Sequence, residues 1–144
     1  MKNKFSKLIG LIAAIGFIFN LIWENAQAPL YANYSGFSEH FLICLGATFG
    51  DVIIVLSIYI LVSFAKADWH WPVHMGKRAV TLTIILGLLV AIIIEQGALL
   101  LGLWGYADQM PRLPFFDVGF LPTLQMLILP TVTFWMSSFI YKKL

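Results

Sequence analysis

Four stretches of the chain stay apolar long enough to cross a bilayer, and polar segments rich in Pro, Gly and charge separate them. They cover about residues 5–23, 40–65, 80–104 and 120–140. A helix rises about 1.5 Å per residue, so some 20 apolar residues match a hydrocarbon core of about 30 Å. The pattern predicts an all-α membrane protein, a four-transmembrane-helix bundle forming a single domain over residues 1–144. Pro122 and Pro130 fall in the fourth span. Proline is tolerated there when neighbours satisfy the carbonyls it frees. The first stretch has a second reading as a cleaved signal peptide, because Ala26-Gln27-Ala28 has the small-x-small form. Its length, the adjacent Glu24 and the position of Pro29 favour a retained span.

An even number of spans puts both termini on one side. Lys2, Lys4, Lys7, Lys66, Lys77, Arg78, Lys142 and Lys143 share that side, and only Arg112 falls opposite. Cytoplasmic loops carry the excess of Lys and Arg. The bundle is therefore expected to be N-in/C-in, multi-pass, in a bacterial cytoplasmic (inner) membrane. Trp23, Tyr31, Trp104 and Tyr106 are expected to ring the outer interface, and Trp69, Trp71 and Tyr141 the inner one. Composition agrees: the chain is 60% hydrophobic and 11% charged, against about 25% charged in soluble domains. Its net charge of +2 then reports topology, and no nucleic-acid partner is expected. The single cysteine, Cys44, excludes an internal disulfide.

Against that background, one acid stands out. Glu95 lies deep in the third span, where a carboxylate costs about 2.5–3.5 kcal/mol to insert. Asp51 interrupts the second span. Counting about 1.5 Å per residue puts Asp51 roughly 16 Å below His40, and Glu95 roughly 13 Å below Trp104. The spans run antiparallel, so the two carboxyls are expected at similar depth. Glu24, Gln27 and Asn20 at the end of span one, Gln96 beside Glu95, and Gln125 in span four add polarity to the same half. At 100° per residue His40, Cys44, Ala47 and Asp51 share one face of span two, with Thr48 at its edge. Gly46 and Gly50 have the spacing of a close helix contact, and Gly87 and Gly97 could serve likewise. The sum is a polar pocket opening outward between the helices.

Chemistry follows from these types. Glu95 and Asp51 are the candidate general acid and base, with His40 as a proton relay. Glu24, Gln27, Gln96, Tyr106 and Gln125 are the candidate substrate-binding groups. His40-xxx-Cys44 lacks a second His or Cys nearby. Pro72 breaks the helix that His70 and His74 would need to share a metal. No Ser-His-Asp order, phosphate loop or HExxH motif is present, so neither a metal nor a cofactor is expected.

The stretch from Leu21 to Tyr31, with His40-xxx-Cys44 and Thr48-Phe49-Gly50-Asp51, resembles a class of uncharacterised small four-span bacterial membrane proteins. That resemblance implies no activity. In the last third, Glu95, Trp104-Gly105-Tyr106 and Gly119-Phe120-Leu121-Pro122 are similar in layout to lycopene-cyclase-domain proteins and carotenoid hydratases. Those families work on isoprenoid chains in the bilayer, with carboxylates as acid and base. The cyclase pattern has paired glutamates soon after the proline, where this chain has Thr123-Leu124-Gln125. What carries over is the idea of acids facing a lipid-soluble substrate.

Three functions stay open. The first is acid/base chemistry on a lipid or isoprenoid taken from among the membrane lipids. The second is a proton- or ion-coupled transporter or channel subunit, working as a homo-oligomer because four spans enclose little space. The third is a non-catalytic accessory protein that binds another membrane protein through its polar helix face.

Overall fold

A computed structural model describes residues 2–144, with side chains from Phe5 onward. Met1 and the side chains of Lys2 and Lys4, which enter the charge bias, lie outside the described residues. Four helices follow one another: α1 (Lys2–Gln27), α2 (Phe37–Lys66), α3 (Lys77–Leu100) and α4 (Phe120–Tyr141). All four are long and apolar enough to cross a membrane, which fits a multi-pass membrane protein. Short 3-10 turns, Ala28–Leu30 and Trp71–His74, lie in loops one and two. α1 packs against α2 and α4, and α4 packs against α3, while α2 and α3 meet only sparsely.

The helix ends differ from expectation in ways that matter. α1 continues to Gln27, so Glu24 and Gln27 belong to its last turn and face the bundle from a rigid backbone. α3 stops at Leu100, four residues before Trp104. The cause is Gly102, whose φ of 66° suits a residue without Cβ. The Leu103 N–H bonds the Ala98 carbonyl at 2.9 Å and closes a Schellman turn. The chain then doubles back, and Trp104 bends toward the bundle.

The half of the bundle that holds the chain termini is an apolar core. Leu8, Ile12, Val55, Ile58, Tyr59, Val62, Trp71, Ala79 and Phe134 pack there without solvent access. Trp71 is thus no interfacial anchor. Loop two tucks its ring against Phe134, 5.0 Å between centroids, and its Nε1 donates to Ser63 Oγ at 3.1 Å. A buried indole needs such a partner, and Ser63 supplies it. Trp69 stays partly exposed against Phe5 and Phe64.

Asp68 ties loop two. Its Oδ1 accepts the His70 main-chain N–H at 2.8 Å, and its Oδ2 meets His74 Nε2 at 2.7 Å. Burial acts to raise the Asp68 carboxyl, but these bonds outweigh it and hold the group below its ordinary value. A carboxyl held low in the fold stabilises above its unfolded-state value and stops doing so as pH falls through the folded one. Asp68→Asn is expected to cost about 0.2–1 kcal/mol near neutral pH, the usual worth of a partly exposed pair. Melting curves should converge with wild type below about pH 3.9. A deficit that persists in acid would mean that packing, not charge, is what Asp68 supplies.

Small residues do not act where their spacing suggested. A Cβ at Gly46, Gly50 or Gly97 would meet nothing within 4 Å, so none of them seats a neighbouring helix. Gly87 does. A Cβ there would overlap the Met126 main-chain carbonyl on α4. The reason lies four residues on: Pro130 has no N–H to offer that carbonyl. The freed oxygen points at the bare Gly87 backbone, where a Cα–H can approach it. Gly87→Ala is expected to cost about 1–3 kcal/mol by overpacking, read as a lower melting temperature in detergent. Gly97→Ala in the same helix should be neutral or gain up to about 1 kcal/mol from propensity. Equal effects at both positions would remove the contact argument.

Candidate functional site

The half of the bundle away from the termini is built differently. Four helix ends bring polar side chains inward there, and a cavity of about 470 Å³ lies between them. Its walls are mostly apolar, with Glu24, Gln27, His40, Asp51, Glu95 and Gln125 among them. The helical phase of α2 places His40, Cys44, Ala47 and Asp51 on this cavity together. Thr48, at the edge of that face, turns its hydroxyl back to the Cys44 carbonyl at 2.7 Å.

Gln125 organises one wall. It projects from the first turns of α4, where Thr123 Oγ1 returns a bond to the Gly119 carbonyl at 2.9 Å. The Gln125 Nε2 donates to Asn20 Oδ1, Glu24 Oε1 and Asp51 Oδ2, each at 2.9 Å. An amide nitrogen has two hydrogens, so three acceptors share them. Its Oε1 accepts from Gln27 Nε2 at 3.0 Å, and the same Gln27 amide donates to Glu24 Oε1 at 2.9 Å. Trp23 Nε1 donates to Gln27 Oε1 at 3.1 Å. Asn20 is anchored by its own donation to the Gly16 carbonyl at 2.8 Å. One amide therefore joins α1, α2 and α4, and Asn20 and Glu24 are each held by a further bond.

The Glu24 and Asp51 carboxyls lie within hydrogen-bonding reach of each other. Both accept from the one Gln125 amide, so the two carboxyls share a donor. Asp51 was expected to work with Glu95; the structure gives it Glu24 as its immediate partner. His40 lies close enough to Glu24 for their charges to interact, with its ring edge-on to Tyr34 at 5.3 Å.

Glu95 stands apart on α3. Tyr106 Oη donates to its Oε2, and Trp104 Nε1 reaches the same oxygen at 3.4 Å. Both bonds go to Oε2, which leaves Oε1 for a partner in the cavity. Burial first, and then the bond to Glu95, hold the Tyr106 phenol above its ordinary range, so it remains a donor. The Arg112 guanidinium lies over the Tyr106 ring at 5.3 Å and pairs with Asp117 at 3.1 Å. Tyr106 was expected at an interface and is instead buried against the acid, whereas Trp104 stays partly exposed while its indole reaches the same oxygen.

Loops one and three meet above the cavity. The Ala32 N–H bonds the Gly105 carbonyl, and the Ala107 N–H the Leu30 carbonyl, both at 2.9 Å. This pairing sets Tyr31 against Tyr106, 5.7 Å between rings, and places Tyr31 on the cavity wall. Burial, and next the nearby charges of Glu95 and Glu24, hold the Tyr31 phenol above its ordinary value. Tyr31 thus stands within electrostatic reach of both acid groups. Sequence reasoning left Tyr31 out of the site and counted Asn20 toward its polarity without giving it a role. Asn20 had a signal in its i−4 spacing from Glu24; Tyr31 had none, because only the loop pairing brings it in.

Two candidates do not line the cavity. Tyr106 touches the site only through its bond to Glu95, and Gln96 faces loop three. Its amide donates to the Phe116 carbonyl at 3.3 Å and braces loop three, because the residue after Glu95 is turned 100° away from it. Among the described residues, no three His, Cys, Asp or Glu side chains gather to hold a metal ion. Comparison with protein-family models, curated proteins and solved structures returned no match.

Proposed function

We propose that the chain is an integral protein of a bacterial cytoplasmic membrane that carries out acid/base chemistry on an isoprenoid-type lipid, in the outer half of the bilayer. Among the described Lys and Arg side chains, Lys7, Lys66, Lys77, Arg78, Lys142 and Lys143 lie toward the termini end, and Arg112 alone lies at the other. That asymmetry supports cytoplasmic termini, and with them an outward-placed cavity.

The observation that carries the reading is one apolar cavity with two separate acid groups on different helices. The Glu24–Asp51 pair lines it from α1 and α2, and Glu95 from α3. Neutral proton-moving chemistry needs a donor and an acceptor at different places around the substrate. Here the pair holds a shareable proton, and Glu95 offers a carboxyl aimed by Tyr106 and Trp104. His40 is the relay that restores the pair. Gln125 and Gln27 are positioning residues. The apolar walls suit a substrate that is itself hydrocarbon.

Transport is less favoured by the same geometry, because a pathway must also cross the other half of the bundle. Leu8, Ile12, Val55, Ile58 and Phe134 fill that half with buried hydrocarbon.

The test is reconstitution of the full chain into phosphatidylethanolamine–phosphatidylglycerol vesicles loaded with an acyclic isoprenoid polyene. Extracted lipid should contain a product of equal mass, or one heavier by a water. Unchanged lipid, together with proton uptake into vesicles holding a pH dye, would overturn the enzyme reading in favour of transport.

A further inference from the structure

We propose that a groove between loop two and the end of α4, in the termini half of the bundle, binds an anionic phospholipid. Its headgroup phosphate sits on Ser138 and Lys142, and the top of an acyl chain lies on Trp135 and Phe139. The groove shares no residue with the cavity described above and does not depend on what that cavity does.

The last turns of α4 make one wall. Trp135, Ser138, Phe139 and Lys142 recur at i, i+3, i+4 and i+7, so they fall on one stripe of the helix. All four line a groove of about 310 Å³. Residues 72–75 of loop two make the other wall, and that wall is preformed. Trp71 is packed in the core against Phe134, with Pro72 buried next to it. Asp68 ties down both His70 and His74.

The stripe changes character along its length. Trp135 and Phe139 are both exposed, and their rings stack with centroids 6.1 Å apart and planes 19° from parallel. Lys142 lies two turns beyond Trp135, about 10 Å along the axis, toward the end of the chain. α4 is long and apolar enough to span a membrane, so this stretch runs from hydrocarbon into the headgroup layer, about 5–8 Å deep on each side. A phospholipid carries the same gradient, from methylenes through glycerol to phosphate.

Two polar groups on the stripe lack partners. Ser138 is only 5% exposed. Ser63 and Ser137 return their hydroxyls to the carbonyl four residues back, but the Ser138 hydroxyl bonds nothing among the described residues. Nor is it sealed off as the unpartnered Thr83, Thr131 and Thr133 hydroxyls are, so it opens on the groove. A buried hydroxyl without a partner is costly, and a phosphate oxygen removes that cost. Lys142 pairs with no carboxylate among the described residues. Lys143 stands beside it, with Nζ 4.0 Å from the centre of the Phe139 ring. No carboxylate lines the groove, and Asp68 is already bonded to His70 and His74. A phosphate therefore meets a donor and a cation, whereas an ethanolamine ammonium meets no anion. That selects an anionic headgroup. Free phosphate would leave the Trp135–Phe139 stack uncovered, and a lipid covers it.

Native mass spectrometry of the purified full chain in a neutral detergent tests this, with dioleoyl phosphatidylglycerol and dioleoyl phosphatidylethanolamine as probes. Phosphatidylglycerol is expected to bind about fivefold more tightly, the worth of one cation against an anionic headgroup. Lys142→Gln should erase that ratio. Ser138→Ala should weaken both lipids about tenfold and keep the ratio, because its hydroxyl meets the phosphate that both carry. Lys66→Gln, at the same end of the bundle but off the groove, should bind as wild type does. The lipid-free melting temperatures of all three variants should stay near that of wild type. At one lipid per protein, phosphatidylglycerol brominated near the top of its acyl chains should quench wild-type tryptophan fluorescence more than that of Trp135→Phe. A ratio that survives Lys142→Gln, or unchanged affinities in Ser138→Ala, would overturn the phosphate seat. Equal quenching in Trp135→Phe would overturn the acyl seat. Inorganic phosphate that displaces phosphatidylglycerol at equal concentration would overturn the lipid in favour of a free anion.

Discussion

Glu95→Gln is expected to abolish conversion of the isoprenoid while leaving the protein folded. The amide oxygen of Gln can still accept from Tyr106 and Trp104, which both bond Oε2 in the wild type. What disappears is the capacity to gain or lose a proton at that place. General acid or base catalysis contributes about 10²–10⁴-fold, so product should fall by that range. The melting temperature in detergent should stay near that of wild type. Tyr106→Phe separates aim from chemistry: Glu95 keeps its proton equilibrium but loses its orienting donor. A smaller loss, with the same product, is expected there. Full activity in Glu95→Gln would remove Glu95 from the reaction and leave the Glu24–Asp51 pair as the only acid group to consider.

Gln125→Leu should be the most destabilising single change in the bundle. Leucine fills a similar volume, so any loss reports hydrogen bonds and not a cavity. It removes the donor shared by Asn20, Glu24 and Asp51 and the acceptor used by Gln27. Asn20 and Gln27 are as buried as Gln125 itself. Each buried group left without a partner costs about 1–3 kcal/mol, so a total near 3 kcal/mol is expected even after some groups find each other. Infrared carboxyl bands should move with it. The bands assigned by Glu24→Gln and Asp51→Asn are expected to shift together in Gln125→Leu, and the Glu95 band to stay. A stable Gln125→Leu protein with unshifted bands would mean that the amide is an ornament of the wall and not its organiser.

Much of this was written along the chain. Unbroken apolar runs dictate helices, because in hydrocarbon every main-chain group must bond within its own segment. Phase at 100° per residue put His40, Cys44, Ala47 and Asp51 on one face of α2, and that face is the one on the cavity. Hydropathy overran the end of α3, carrying the span to Trp104 where the helix stops at Leu100 before Gly102.

Tertiary structure decided the rest. Depth counting could place Asp51 and Glu95 at one level but could not say which helix stood beside which. Glu24 became the partner of Asp51 because α1 packs directly on α2, whereas α3 reaches α2 only sparsely. Trp71 left the interface for the core because loop two folds inward and Ser63 satisfies its indole. Gly87, and not the Gly46–Gly50 pair, seats a helix, because Pro130 frees the carbonyl that faces it. Tyr31 and Tyr106 meet through main-chain bonds between two loops far apart in sequence, and such bonds carry no side-chain signature. Local periodicity therefore determined which residues turn inward, and only the packing of helices and loops determined which of them touch.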